Sequence, residues 1–264
     1  MIPQANIVEW SNGVPWPTIE QVEQDLLLSR LIIEIAEDPY LGKELAFRGG
    51  TCLHKLHIVP GLRYSEDLDY VRRTADGIGD VFDALRAIGD RLGMDGHTAR
   101  GAHPKVYLRA PFESGSGTMR IKIEVNTHER SPARELIRHP FTVESAWYEG
   151  TADVLTFSRE ELDATKLRAL YQQLKGRDLF DLWLALDRLR LDPSEIVASF
   201  APYRPETYSA VLAERNLRDK LGRPAFRDDL TPLVRAIPKE YDVMMAGELV
   251  IAELFSNPTS AAQT

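Results

Sequence analysis

The feature that most constrains this chain is the run Phe47-Arg48-Gly49-Gly50-Thr51-Cys52-Leu53-His54-Lys55-Leu56, followed closely by Arg63-Tyr64-Ser65-Glu66-Asp67-Leu68-Asp69-Tyr70. The first half reads as a short apolar strand (Leu45, Ala46, Phe47), a glycine pair, and a threonine positioned to open a helix. Glycines let the backbone turn sharply and approach a ligand closely. A new helix N-terminus offers unpaired N–H groups, which suit phosphate. In the second half Asp67 and Asp69 sit two apart in a strand-like run, so both carboxylates project to one face. Paired carboxylates beside a phosphate-holding turn suit a divalent cation and a nucleotide, because Mg²⁺ is commonly held by one or two carboxylates plus substrate phosphates.

The flanking sequence supplies a frame for that stretch. Thr18-Ile19-Glu20-Gln21 is a capping box, and Ile19, Val22, Leu26, Leu27, Ile32, Ile33 and Ile35 predict a helix with an apolar face through about Asp38. The opening ahead of it, with Trp10 and Trp16, reads as loose chain. Val81, Phe82, Leu85, Ile88 and Leu92 recur at helical spacing, predicting a second helix behind the Asp-x-Asp strand. Residues 105–110, a turn at 113–117 and a returning run at 119–126 read as a β-hairpin. In the returning strand Met119, Ile121, Ile123 and Val125 face the core, while Arg120, Lys122, Glu124 and Asn126 face the other way. Glu124 is therefore the third candidate carboxylate; its competing reading is an exposed salt bridge to Arg120 or Lys122.

Two short strand-like runs lie around Tyr148-Glu149-Gly150, after which Ser158-Arg159-Glu160-Glu161 forms a second capping box. From there the pattern is helical. Leu162, Leu167 and Leu170 make one apolar stripe, with Lys166 and Arg168 off it. After a break at Lys175-Gly176, Leu179, Leu182, Trp183, Leu186 and Leu189 bury one side of a helix, and Asp178 and Asp181 share the other. Asp192-Pro193 caps another helix, and residues 206–220 and 239–255 complete a bundle. The expected division is an α/β domain over 1–157, a helical domain over 158–256 and a disordered tail over 257–264.

Composition narrows the setting. No apolar run approaches the roughly eighteen residues that span a bilayer, and the opening Met1-Ile2-Pro3-Gln4-Ala5 lacks the features of a secretory signal. With no such apolar run no membrane partner is expected, and a lone Cys52, read as packed rather than nucleophilic, fits a reducing cytoplasm. The formal charge of −8 argues against a generic nucleic-acid coat protein. Residues 97–139, however, hold eight Lys and Arg against four Glu, a local surplus able to receive an RNA backbone.

Gly-Gly, a short helix and Asp-x-Asp together resemble the active-site motif of polymerase-β-like nucleotidyltransferases. The wording Phe-Arg-Gly-Gly-Thr-x-Leu followed by Arg-Tyr-Ser-Glu-Asp-Leu-Asp-Tyr resembles the AbiEii/AbiGii-type nucleotidyltransferase toxins of bacterial toxin–antitoxin systems. Lys166 and the later Arg177-Asp178-Leu179-Phe180-Asp181 extend that resemblance across residues 18–190. It implies an α+β fold, with a mixed-sheet nucleotidyltransferase domain followed by a mostly helical one. It implies transfer of NMP from an NTP to an RNA acceptor, with the tRNA 3′ end foremost, and a cognate antitoxin. Asp67, Asp69 and Glu124 would hold Mg²⁺ or Mn²⁺, Gly49, Gly50 and Thr51 would cradle phosphates, and Lys166 would meet the leaving pyrophosphate. Arg63 would brace the Asp-x-Asp strand or reach a phosphate, and Asp178 would orient Lys166 or contact the nucleotide, with Asp181 the alternative later acid. Ser65 is either a turn-capping hydroxyl or a control point, where an added phosphate would repel the triphosphate. Two other classes stay open: a nucleotidyltransferase with a small-molecule or protein acceptor, and a non-catalytic nucleotide- or RNA-binding module.

Overall fold

The computed structural model describes residues 2–115 and 117–256, so the tail expected over 257–264 lies outside the described residues. The chain divides into two compact units. One comprises the residues up to Arg130 together with Leu136–Phe157, the other Ser131–Glu135 and the chain from Ser158 on.

The first unit is built on a seven-stranded mixed sheet. Its strands are β1 (Leu45–Arg48), β2 (Asp67–Arg72), β3 (Asp95–Ala99), β4 (Lys105–Pro111), β5 (Thr118–Asn126), β6 (Ile137–Glu144) and β7 (Glu149–Thr156), in the order β3-β4-β5-β2-β1-β7-β6. β2 runs parallel to β5 and β1 parallel to β7; the other neighbours are antiparallel. The alternation of β5 follows the sequence over most of its length: Met119, Ile121, Ile123 and Val125 are buried, and Arg120, Lys122 and Glu124 lie on the open side. Asn126, at the strand's end, is instead buried and accepts from the N–H groups of His128 and Glu129.

The unit's helices are α1 (Gln4–Trp10), α2 (Ile19–Glu37), α3 (Leu41–Glu44), α4 (Gly49–Cys52) and α5 (Gly79–Arg91). α2 opens on the predicted capping box: Thr18 accepts from Gln21 N–H while the Gln21 side chain accepts from Thr18 N–H. Its buried Glu23 accepts from the N–H groups of Glu113 and Ser114 at 2.9 Å, which ties the β4–β5 turn to the helix. The opening read as loose chain contains α1, whose one buried residue is Ile7; a single apolar contact leaves almost no periodicity to detect. α5 forms where its spacing predicts, but it packs on β3 and β4, while β2 is covered by α4. Gly89 permits that approach, since a Cβ there would stand 2.6 Å from Leu108 Cδ2.

The second unit is helical: α6 (Arg159–Gln172), α7 (Gly176–Trp183), α8 (Pro193–Phe200), α9 (Ala210–Leu221), α10 (Pro224–Arg227) and α11 (Val243–Val250). Ser158, Asp192, Ser209 and Asp242 each accept backbone N–H bonds at a helix start. The predicted box at Ser158 is only half made. Ser158 caps Glu161 N–H, but the Glu161 carboxylate accepts instead from the N–H groups of Ala133 and Arg134 and from Tyr203 Oη. Those donors come from distant sequence, so no local pattern could foretell them. Among the described residues, no helix is long and apolar enough to cross a membrane.

Candidate active site

Strand register assembles the acidic face. Arg48 is opposite Asp69, Asp69 opposite Glu124, and Glu124 opposite Lys105, so these four side chains form one row across β1, β2, β5 and β4. One pleat away, Asp67 faces Lys122, which faces Tyr107. Asp67, Asp69 and Glu124 thus share a side of the sheet because each sits at an even offset in its strand.

The glycine pair lets the turn lie against that row. Gly49 has φ +83°, and a Cβ there would collide with the Asp69 carboxylate. A Cβ on Gly50 would stand 2.5 Å from Arg63 Nη2 and 3.1 Å from Ser65 Oγ. Gly49→Ala is therefore expected to cost about 1–3 kcal/mol, from left-handed backbone strain and displacement of Asp69. Gly79→Ala, where an added Cβ meets nothing, is the control; urea midpoints of the two variants check the contrast.

Behind the turn the polar groups are engaged internally. The buried Thr51 hydroxyl donates to the Asp67 carbonyl and lies 2.9 Å from Ser65 Oγ, lashing the start of β2 to α4. Arg63, 1 % exposed, sits beneath Gly50 and donates to the Tyr64 carbonyl at 3.1 Å, a bracing position. Cys52 packs 3.1 Å from Thr156 Oγ1; burial pushes its thiol up to about 12, so it is no nucleophile at neutral pH.

The electrostatics of the face are those of crowded acids around a central lysine. Burial raises the Asp69 pKa to about 6; Lys122 opposes the rise, while Asp67 and Glu124 add to it. The Lys122 ammonium lies 3.0 Å from Asp67 Oδ2 and 3.2 Å from Glu124 Oε2, with Lys105 3.5 Å from Glu124. Burial works against the charge of Lys122, but Asp67, Asp69 and Glu124 outweigh it and hold the group protonated. The salt bridge read as Glu124's alternative does form, to Lys122 and not to Arg120, but the same lysine also holds Asp67, a link that alternation within β5 alone does not reveal. At the end of the row, Arg48 pairs with Glu129 at 2.5 Å.

Among the described residues, no group of three or more His, Cys, Asp or Glu side chains stands ready-spaced around a metal position. The donor set nonetheless fits a hard divalent cation. It consists of carboxylates alone, and a cation, the Lys122 ammonium, already bridges two of them.

In the second unit, Lys166 lies 3.0 Å from Asp178 Oδ1 and 2.9 Å from Asp181 Oδ2. All three are buried, so the side of α7 carrying the two acids is no solvent face: its carboxylates hold the lysine of α6. Both candidate later acids engage Lys166, and Arg177 is bidentate with Asp229 at 2.9 Å. Asp163, one turn before Lys166, is fully buried, and among the described residues neither of its oxygens has a hydrogen-bond partner. Burial, then the Asp181 charge, raises its pKa well above the usual carboxylate range, with Lys166 opposing. A raised acid pKa means that the fold binds this proton more tightly than the unfolded chain does. Its penalty is absent below about pH 4 and grows as pH rises toward the folded pKa. Asp163→Leu should therefore gain on the wild type with rising pH, by up to about 1.4 kcal/mol per unit, in urea melts between pH 5 and 8.

A glycine turn thus lies flush against Asp69, with Asp67 on the same strand and Glu124 on its parallel neighbour. The family described as nucleotidyl transferase AbiEii toxin of type IV toxin–antitoxin systems matches residues 30–247, and this chain belongs to that family. The fold is shared with solved structures. MenT4, a nucleotidyltransferase toxin from Mycobacterium tuberculosis H37Rv, superposes with a TM-score of 0.61 at 18% identity, covering 100% of this chain and 91% of its own. JHP933 from Helicobacter pylori gives 0.53 at 18% identity over 92% and 95% of the two chains. A putative nucleotidyltransferase from H. pylori gives 0.53 at 18% identity over 94% and 99%. No curated protein sequence matches the chain.

Proposed function

We propose that this nucleotidyltransferase toxin moves an NMP unit from an NTP to a hydroxyl of an RNA acceptor, foremost the 3′ end of tRNA, and thereby blocks translation. The observation that carries the reading is the row on the open sheet face. Asp69 lies opposite Glu124, Asp67 beside both, and Gly49 presses its bare Cα against Asp69. Asp67, Asp69 and Glu124 are the residues that would hold Mg²⁺ or Mn²⁺, which when bound neutralises the triphosphate and makes the attacking hydroxyl more acidic. Gly49 and Gly50, which carry no side chains of their own, would let phosphates approach the turn, while Thr51, Arg63 and Ser65 hold it in register with β2. Lys122 supplies the compensating charge that lets three acids share one face. Lys166, oriented by Asp178 and Asp181, is assigned to charge growing on the pyrophosphate. A cytoplasmic setting and a cognate antitoxin complete the proposal.

The test incubates the protein with Mg²⁺, each α-labelled NTP in turn, and total tRNA. Label in tRNA that tracks the wild type and is missing with Asp69→Asn supports the reading. Pyrophosphate release without labelled RNA would replace the RNA acceptor by a small-molecule or protein one. No turnover at all would leave a binding module.

A further inference from the structure

We infer that the open face of β4 and β5, running outward from the acidic row, is the track that holds the single-stranded end of the acceptor; this rests on the RNA reading above. On that face Arg109 lies directly opposite Arg120, and Tyr107 directly opposite Lys122. Like charges placed opposite each other on a sheet destabilise it. Both guanidiniums are exposed, and neither has an ion-pair partner within 4.0 Å among the described residues. Asp95 of β3 stands opposite Arg109 on its other side, too far for an ion pair, so one acid borders two facing arginines and the pair keeps a net positive charge. The other cations of the 97–139 segment do not all share this condition. Arg134 pairs with Glu195 and Glu160, and Arg138 donates to the carbonyls of Asp153 and Gly42. The structure thus singles out, from a generally basic stretch, the two arginines that stand on the same face as Asp69 and Glu124.

The face also carries an aromatic. The Arg120 guanidinium sits 5.2 Å from the centre of the Tyr107 ring, giving a stacked plane beside the charges. Basic side chains interleaved with an aromatic on an open sheet are suited to single-stranded nucleic acid, with phosphates on the cations and a base on the ring. An acidic protein surface would be served by the charge but gains nothing specific from the ring. The dimensions agree with a short single strand. Glu124 to Arg120 is four residues of strand, about 14 Å, which spans about four stacked nucleotides. The acceptor hydroxyl at the acids and the third or fourth phosphate back at Arg109 and Arg120 would therefore lie on one line.

The test uses the full chain, total tRNA, and a fluorescein-labelled eight-nucleotide single-stranded RNA. Anisotropy is followed against salt for the wild type, Arg109→Gln/Arg120→Gln, and Tyr107→Leu. The double variant should bind both RNAs about 10-fold or more weakly at low salt, and the slope of log K against log salt should fall by about 1.4, two phosphate contacts' worth. Tyr107→Leu should weaken binding by about 5- to 100-fold with little change in slope. NTP affinity without RNA should be the same in all three proteins. Unchanged RNA affinity and slope in the double variant, while the wild type still labels tRNA, would overturn the track and leave the RNA reading standing. A wild type that labels no RNA would remove the RNA reading itself and the track with it.

Discussion

Asp69→Asn should leave the protein folded and lower nucleotidyl transfer by on the order of a thousandfold, about 4 kcal/mol of transition-state stabilisation. The expectation follows from what this carboxylate is held against. It stands in one row with Glu124, under the bare Cα of Gly49, and its pKa is already driven to about 6 by burial and by Asp67 and Glu124. Keeping that charge costs the fold, and asparagine has nearly the same shape without it. The variant should therefore melt at or slightly above the wild-type temperature while losing the reaction. Lys122 would remain balanced by Asp67 and Glu124 at 3.0 and 3.2 Å, so no orphan charge is created. Paired melting curves and label-transfer rates check both halves. A variant that keeps full transfer would show that the acid row is structural and that the reaction centre lies elsewhere.

The acidic row was legible because strand alternation is a local rule: once residues 119–126 are read as a strand, Glu124 must share a side with Arg120 and Lys122. The glycine pair was legible for the same reason, although only the structure shows that Gly49 is bare because Asp69 needs the space. Features set by distant partners were not legible. β3, Asp95-Gly96-His97-Thr98-Ala99, has no apolar alternation and exists because β4 pairs with it at the sheet edge. Glu161 looked like half of a capping box and instead bonds Ala133 and Arg134. Lys122 reads as a salt-bridge partner of Glu124, and its second bond, to Asp67 on the parallel strand, is set by the pairing of β2 with β5. Asp178 and Asp181 read as the polar side of an amphipathic helix, yet both are buried on a lysine contributed by another helix. In each case the sequence names the residue type, and the partner that decides its role comes from elsewhere in the chain.

Lys166→Ala should destabilise the helical unit by about 3–5 kcal/mol, because it strips the shared cation from two buried carboxylates. Asp178 and Asp181 are 4 % and 0 % exposed, and the fully buried Asp163 lies close by, so no solvent replaces the ammonium. Lost activity in that variant alone would say nothing about chemistry, since a protein losing that much stability fails for structural reasons. The informative protein is the triple variant Lys166→Met, Asp178→Asn, Asp181→Asn. Replacing a buried ion group by neutral side chains of similar volume is often neutral or stabilising, so its urea midpoint should return to within about 1 kcal/mol of wild type. Transfer should nevertheless stay down by about 100- to 1000-fold, the usual cost of losing one donor to developing charge. Stability restored without transfer assigns Lys166 to the phosphates. Stability and transfer restored together would make the lysine a strut for α6 and α7, leaving pyrophosphate to be met by a different cation.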